Sequence, residues 1–196
     1  MRTIIRSGLL VVLLLVASLA TAPDLHAASP LPAESVYHLP LVLTDQDGHA
    51  ADWRAHRGKV QVVSMFYTSC AYICPLIVDS GKAIERALDA PMRERLGILL
   101  ISMDPARDHP AALATVLRER KLDPLHWSLA APQAKDVRAV AGILGIRYRE
   151  LADGAFNHSS ALVLLDAEGR ILARTEQVGS VADPGFIDAV RGALAH

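Results

Sequence analysis

The stretch that most constrains this chain is an apolar run, Val60-Gln61-Val62-Val63-Ser64-Met65-Phe66, followed at once by Tyr67-Thr68-Ser69-Cys70-Ala71-Tyr72-Ile73-Cys74-Pro75. The run has strand length and is apolar nearly throughout, which reads as a buried strand. Cys74-Pro75 looks like a helix start, with Pro at the first helical position, where its missing N–H is no loss. Ile77, Ile84 and Leu88 then follow at helical spacing. Both cysteines of the protein therefore sit where a strand hands over to a helix. Free N–H groups and the positive end of the helix dipole favour thiolate there, the form that attacks disulfides or binds soft metals. The Cys-x-x-x-Cys spacing permits either a disulfide or a shared ion, and geometry decides between them. A plain stabilising disulfide is the bland alternative. So short a loop constrains the unfolded chain little, which makes stabilisation a weak reason for the pair.

Along the chain, residues 28–34 form a Pro/Ala linker, and Val36 to Leu43 reads as a strand. Asp45-Gln46-Asp47-Gly48 is a hairpin turn with Ala51-Asp52-Trp53 as the return strand. Leu96 to Met103 is a second buried strand, ended by Asp104-Pro105, and a helix runs from about Pro110 to Lys121. Trp127-Ser128-Leu129 is a short strand, and Val137, Val140, Ala141 and Leu144 mark an amphipathic helix. Arg147 to Leu151 reads as a strand, and 152–160 as a loop. Ala161–Leu165 and Arg170–Ala173 form a closing hairpin, and Asp183-Pro184 opens a last helix. Strands alternating with helices imply a parallel sheet between helical layers, to which the closing hairpin adds antiparallel strands. The expected fold is α/β and thioredoxin-like: a central mixed sheet flanked by helices, with an N-terminal β-hairpin extension, over residues 35–196. Its cysteine loop lies at the carboxyl end of a central strand, where open α/β sheets place their sites. Asp104-Pro105-Ala106-Arg107-Asp108 reads as a turn with an Arg–Asp pair that caps the next helix. Tyr67 and Tyr72 read as shields of the cysteine loop, and Trp53 and Trp127 as core or edge packing.

Residues 1–27 carry Arg2 and Arg6, then the apolar run from Gly8 to Ala20. This is the pattern of a signal peptide, with candidate cleavage positions at Ala20-Thr21-Ala22 and Ala27-Ala28. The run falls short of the roughly 20 residues a spanning helix needs, so an uncleaved membrane anchor is the second choice. No cysteine lies nearby, which excludes a lipoprotein anchor. The expected location is exported, either periplasmic or anchored at the outer face of the cytoplasmic membrane. Cleavage after Ala27 leaves 18 basic and 20 acidic residues, a net charge of −2 with no basic tract. Nucleic acid is therefore excluded as a partner class. In an oxidising compartment a thiol pair tends to oxidise unless something reduces it or metal holds it.

Three stretches together resemble the Sco/SenC family of thioredoxin-like copper chaperones: 66–75 with the two cysteines, Ser102-Met103-Asp104-Pro105-Ala106-Arg107-Asp108, and Asn157-His158-Ser159-Ser160. The resemblance implies that copper, as Cu(I), Cu(II) or both, is bound by Cys70, Cys74 and His158. Soft thiolates suit Cu(I), and an added imidazole also suits Cu(II). Two sulfurs and one nitrogen leave a coordination position open for transfer, whereas a closed structural site would want four ligands. Of the eight histidines, only His158 has a matching context; the bland alternative for it is a surface-loop histidine. The resemblance further implies assembly of a copper centre of a respiratory (cytochrome c) oxidase. The partners would be the copper-centre subunit of that oxidase, a copper donor and a thiol reductant protein. Such a protein is a binding module rather than an enzyme. The alternative is an exported thiol–disulfide oxidoreductase in which Cys70 and Cys74 are the catalytic redox pair and nothing requires His158. A peroxiredoxin-type peroxidase ranks lower, because one thiol would serve where two are present. Tyr72 departs from the family pattern, which commonly has an acidic residue there.

Overall fold

The computed structural model describes residues 30–70 and 73–195, with residues 73 and 74 described by their backbone alone. The readings of residues 1–27, of Tyr72 and of the Cys74 side chain lie outside the described residues. The strands are β1 (Val42–Asp45), β2 (Ala50–Asp52), β3 (Val60–Phe66), β4 (Leu96–Ser102), β5 (Trp127–Pro132), β6 (Tyr148–Glu150), β7 (Phe156–His158), β8 (Leu162–Leu165) and β9 (Ile171–Thr175). The α-helices are α1 (Ile73–Ala87), α2 (Ala90–Arg95), α3 (Pro110–Glu119), α4 (Val137–Ile143) and α5 (Pro184–Leu194). Among the described residues, no helix is long and apolar enough to cross a membrane.

Seven strands form one sheet in the order β2-β1-β5-β4-β3-β8-β9, and β6-β7 form a separate two-stranded sheet. β3, β4 and β5 are parallel, while β1 on β5 and β8 on β3 are antiparallel. This is the mixed sheet expected, with β1 and β2 as the N-terminal hairpin. Every residue of β3 except Val60 is buried, as is every residue of β4 except Gly97. Strands covered on both faces read as continuous apolar runs rather than as alternation, which is why these two were plain in the sequence.

The register positions the site. β3 and β4 pair from Val60↔Leu96 to Phe66↔Ser102, so both strands end together. Met103 N–H donates to the Phe66 carbonyl at 2.8 Å, starting the two exit loops side by side. β8 runs the opposite way along the other edge of β3, with Val63 opposite Val163. The chain entering β8 therefore arrives at this same end, where Ser64 Oγ donates to the Ala161 carbonyl at 2.7 Å.

Four local differences from the sequence reading have physical causes. Val36–His38 is a 3-10 turn rather than strand, because Ser35 Oγ accepts from Tyr37 N and donates to the Glu168 carbonyl. Such side-chain bonds compete with extended structure. α1 begins at Ile73, so Pro75 is its third residue rather than its first. That position is still in the first turn, whose N–H groups lack intrahelical partners. α2 is an additional helix, capped by the Asp89 carboxylate on Met92 N. Within 152–160, Phe156–His158 is a strand, β7, paired with β6; three residues are too few for alternation to register.

Trp53 and Trp127 are both core residues, each 1% exposed. Trp127 also explains Gly81 in the middle of α1, since a Cβ there would lie 2.3 Å from the indole. The glycine lets α1 lie directly on the sheet. Alanine is the better helix former by about 1 kcal/mol, but overpacking a filled core costs about 1–3 kcal/mol. Gly81→Ala is therefore expected to lower the urea midpoint. A raised midpoint would mean that Trp127 gives way freely.

Candidate metal centre

The cysteine loop leaves β3 at Phe66 and is held from two sides. Tyr67 is buried, and its carbonyl accepts from Cys70 N at 3.2 Å, closing the turn that carries the first thiol. Thr68 N–H donates to both oxygens of Asp108, at 3.2 and 3.1 Å, and Thr68 Oγ1 donates to Asp108 Oδ1 at 2.5 Å. Ser102 Oγ donates to Asp108 Oδ2, also at 2.5 Å. Asp108 is completely buried. Burial pushes its carboxyl above the usual range, while the bonds from Ser102 and Thr68 pull it back. Hydrogen bonds to an ionised carboxylate are about twice as strong as neutral ones, so this clamp fixes the base of the loop.

This corrects the sequence reading of Asp108. Arg107 and Asp104 do pair, at 2.6 Å. The N-cap of α3, however, is His109, whose Nδ1 accepts from Ala112 N. Asp108 turns inward and ties the end of β4 to the cysteine loop. The trace of this in the sequence was two polar residues, Ser102 and Asp108, bracketing the end of a buried strand.

Cys70 is half-buried and packs against the edge of the core. It opens onto a cleft of about 160 Å³ that Val78, Val116 and Arg120 also line. Arg120 pairs with Asp79 at 2.5 Å and donates to the Pro75 carbonyl at 3.4 Å, which sets a cation beside the start of α1. The backbone of Cys74 lies in the first turn of α1.

His158 closes the β6–β7 hairpin opposite Tyr148. Its Nδ1 lies 3.2 Å from the Ser159 carbonyl, and its Nε2 is buried with no hydrogen-bond partner among the described residues. A carbonyl oxygen can only accept, so the proton is assigned to Nδ1 and the lone pair to Nε2. Burial pushes the imidazole below its ordinary 6.5, favouring the neutral ring. A buried orphan of this kind costs about 1–3 kcal/mol, which a bound cation would recover. Metal-ligating histidines commonly donate their other N–H to a carbonyl, and Nδ1 of His158 has a carbonyl at that distance.

Tyr67 joins the two limbs. Its ring stands edge-on to His158, with centroids 5.9 Å apart, and edge-on to Phe156 at 5.2 Å. Its hydroxyl accepts from Phe156 N at 3.4 Å and donates to the Phe156 carbonyl at 3.5 Å. The imidazole hairpin thus rests on the residue whose carbonyl holds the Cys70 amide. Tyr67 is thus a bridge between the cysteine loop and the hairpin.

The SCO1/SenC family model matches residues 32–184. The chain belongs to this family. A Stutzerimonas stutzeri protein named as copper-binding is 26% identical over 132 residues, 67% of this chain and 65% of its own length. An SCO2-like protein of Rickettsia conorii is 28% identical over 135 residues, 66% of this chain and 64% of its own. The chain thus spans about 65% of the length of the curated relatives it matches. Bradyrhizobium japonicum ScoI, solved with copper bound, superposes with a TM-score of 0.64 at 23% identity, covering 79% of this chain and 95% of that one. Yeast Sco1 with copper bound gives 0.64 at 22% identity, covering 78% of this chain and 85% of that one. These likenesses establish the thioredoxin-like fold of this SCO1/SenC member.

The buried imidazole makes a pH prediction. His158 holds a proton less readily folded than unfolded, so protonation favours the unfolded chain. Its contribution does not vary with pH well above 6.5, and stability falls as the pH drops through the unfolded value, until the folded ring also protonates. Compared with His158→Asn, the native protein should therefore lose more stability between pH 7.5 and 5.5, read by urea unfolding. Equal losses would mean that the folded ring titrates like a solvated one.

Proposed function

We propose that this chain is a copper-binding metallochaperone. The thiolates of Cys70 and Cys74 and Nε2 of His158 hold the metal as cargo. The observation that carries this reading is the buried Nε2, which has no hydrogen-bond partner among the described residues, with Nδ1 committed to the Ser159 carbonyl, on a hairpin packed against the cysteine loop. The copper-binding names and copper-bound structures of relatives support it. Two soft sulfurs retain Cu(I), and the neutral imidazole extends the set to Cu(II). With three protein ligands, a position stays open for an incoming donor or acceptor ligand, so the metal leaves by exchange rather than by unfolding of the site. Asp108 and Tyr67 keep the ligand-bearing segments in place while this happens. The pattern of residues 1–27 supports an exported location, periplasmic or at the outer face of the cytoplasmic membrane. There the acceptor is the copper-centre subunit of a respiratory oxidase, with a copper donor and a thiol reductant as further partners.

Copper titration of the reduced, exported protein tests this. The native protein should bind one copper with spectra that report sulfur and nitrogen ligation. His158→Ala should weaken Cu(II) binding by at least about 100-fold, since even outer partners of metal ligands are worth 10–100-fold. The same variant should leave disulfide exchange at Cys70 and Cys74 largely intact. Unchanged copper affinity in His158→Ala, alongside efficient disulfide exchange, would instead make the chain a thiol–disulfide oxidoreductase.

A further inference from the structure

Two consecutive residues reach the two limbs of the candidate site in opposite directions. Asp108 turns inward to Thr68 and Ser102, as described above. Arg107 turns outward, and its Nη1 donates to Asp104 Oδ2 at 2.6 Å and to the Gly154 carbonyl at 2.9 Å. Gly154 lies in the turn between β6 and β7 and has φ +77°. A Cβ there would lie 2.5 Å from Arg107 Nη2, so the guanidinium rests directly on the turn backbone.

The segment that carries both residues is itself rigid. The Asp104 carbonyl accepts from Arg107 N at 3.1 Å and from Asp108 N at 2.9 Å. Asp104 N donates to Ser102 Oγ at 2.9 Å, and the Asp104 side chain is nearly buried. The hairpin that Arg107 grips is not rigid by construction. It is a two-stranded sheet with no ladder to the main sheet, and a hairpin of that size is marginal alone. Its position therefore depends on what it leans on, and the described supports include the Tyr67 hydroxyl at Phe156 and Arg107 at Gly154.

We infer that Arg107 is a positioning residue of the metal centre. Fixed by Asp104, it holds the hairpin turn and so sets where His158 stands relative to the cysteine loop that Asp108 fixes. One peptide link separates the two holds, about 3.8 Å between Cα atoms, which registers the sulfur limb against the nitrogen limb. The inference rests on the copper reading for its purpose, but its geometry can be tested without metal.

The variant is Arg107→Met, which keeps the aliphatic stem and removes the donors. In the metal-free protein, amide exchange at Leu151, whose N–H bonds to the Ala155 carbonyl inside the hairpin, should quicken by at least about tenfold, the scale of one charged hydrogen bond. Exchange at Met65 and Ile101 in the central strands should not change, which separates a local effect from misfolding. Arg107→Lys, which keeps a cationic donor, should recover part of the protection. With copper added, Arg107→Met should retain Cu(I) on the thiols and lose the nitrogen signature in the electron paramagnetic resonance spectrum of the Cu(II) form. Native exchange at Leu151 in Arg107→Met overturns the inference whatever copper does. So does a native Cu(II) spectrum in that variant. If exchange quickens but the native chain binds no copper, the proposed function fails and the hold on the hairpin stands.

Discussion

The ladder between β3 and β4, in register from Val60↔Leu96 to Phe66↔Ser102, is the constraint on which the rest of the molecule depends. Because the strands are parallel and end together, the chain leaves both at one point. Because β8 is antiparallel on the other edge of β3, a third segment arrives at that point from the opposite direction. Cys70, Asp108 and His158 lie far apart in sequence, and this topology brings their segments to one end of the sheet. The side chains then make the juxtaposition specific: Asp108 with Thr68, and Tyr67 with Phe156 and His158.

The physical division of labour is clear. The base of the cysteine loop is tied by a buried carboxylate with several donors, an arrangement that is costly to disturb. The imidazole limb is a short hairpin held by edge-on aromatic contact, long hydroxyl bonds and a half-exposed guanidinium. Asp108 is fully buried whereas the Arg107 side chain is half-exposed, so the hold on the hairpin is the more solvent-screened of the two.

Much of this was legible in the amino-acid order, and the parts that were not share a cause. Val60–Phe66 and Leu96–Ser102 were plain because strands buried on both faces are apolar throughout. The cysteine pair was plain because no other cysteines compete with it. α4 was plain from the spacing of Val137, Val140, Ala141 and Leu144, although Leu144 itself is the C-cap. β7 was hidden because Phe156-Asn157-His158 is too short for a periodic signal. The role of Asp108 was hidden because a carboxylate beside a proline-led helix looks like a cap, and its actual partner, Thr68, lies forty positions away. His158 was singled out by the resemblance of Asn157-His158-Ser159-Ser160 to a family motif. Only the structure adds that its Nε2 is buried with a lone pair and no partner among the described residues.

The central claim is that sulfur and imidazole nitrogen from these separate segments meet on one copper ion. X-ray absorption at the copper edge, on the protein loaded with Cu(II), measures this most directly. The account predicts two sulfur neighbours and one nitrogen, with the multiple-scattering pattern of an imidazole ring that disappears in His158→Ala. Copper surrounded by sulfur alone, or a ring signal that survives in that variant, would contradict it.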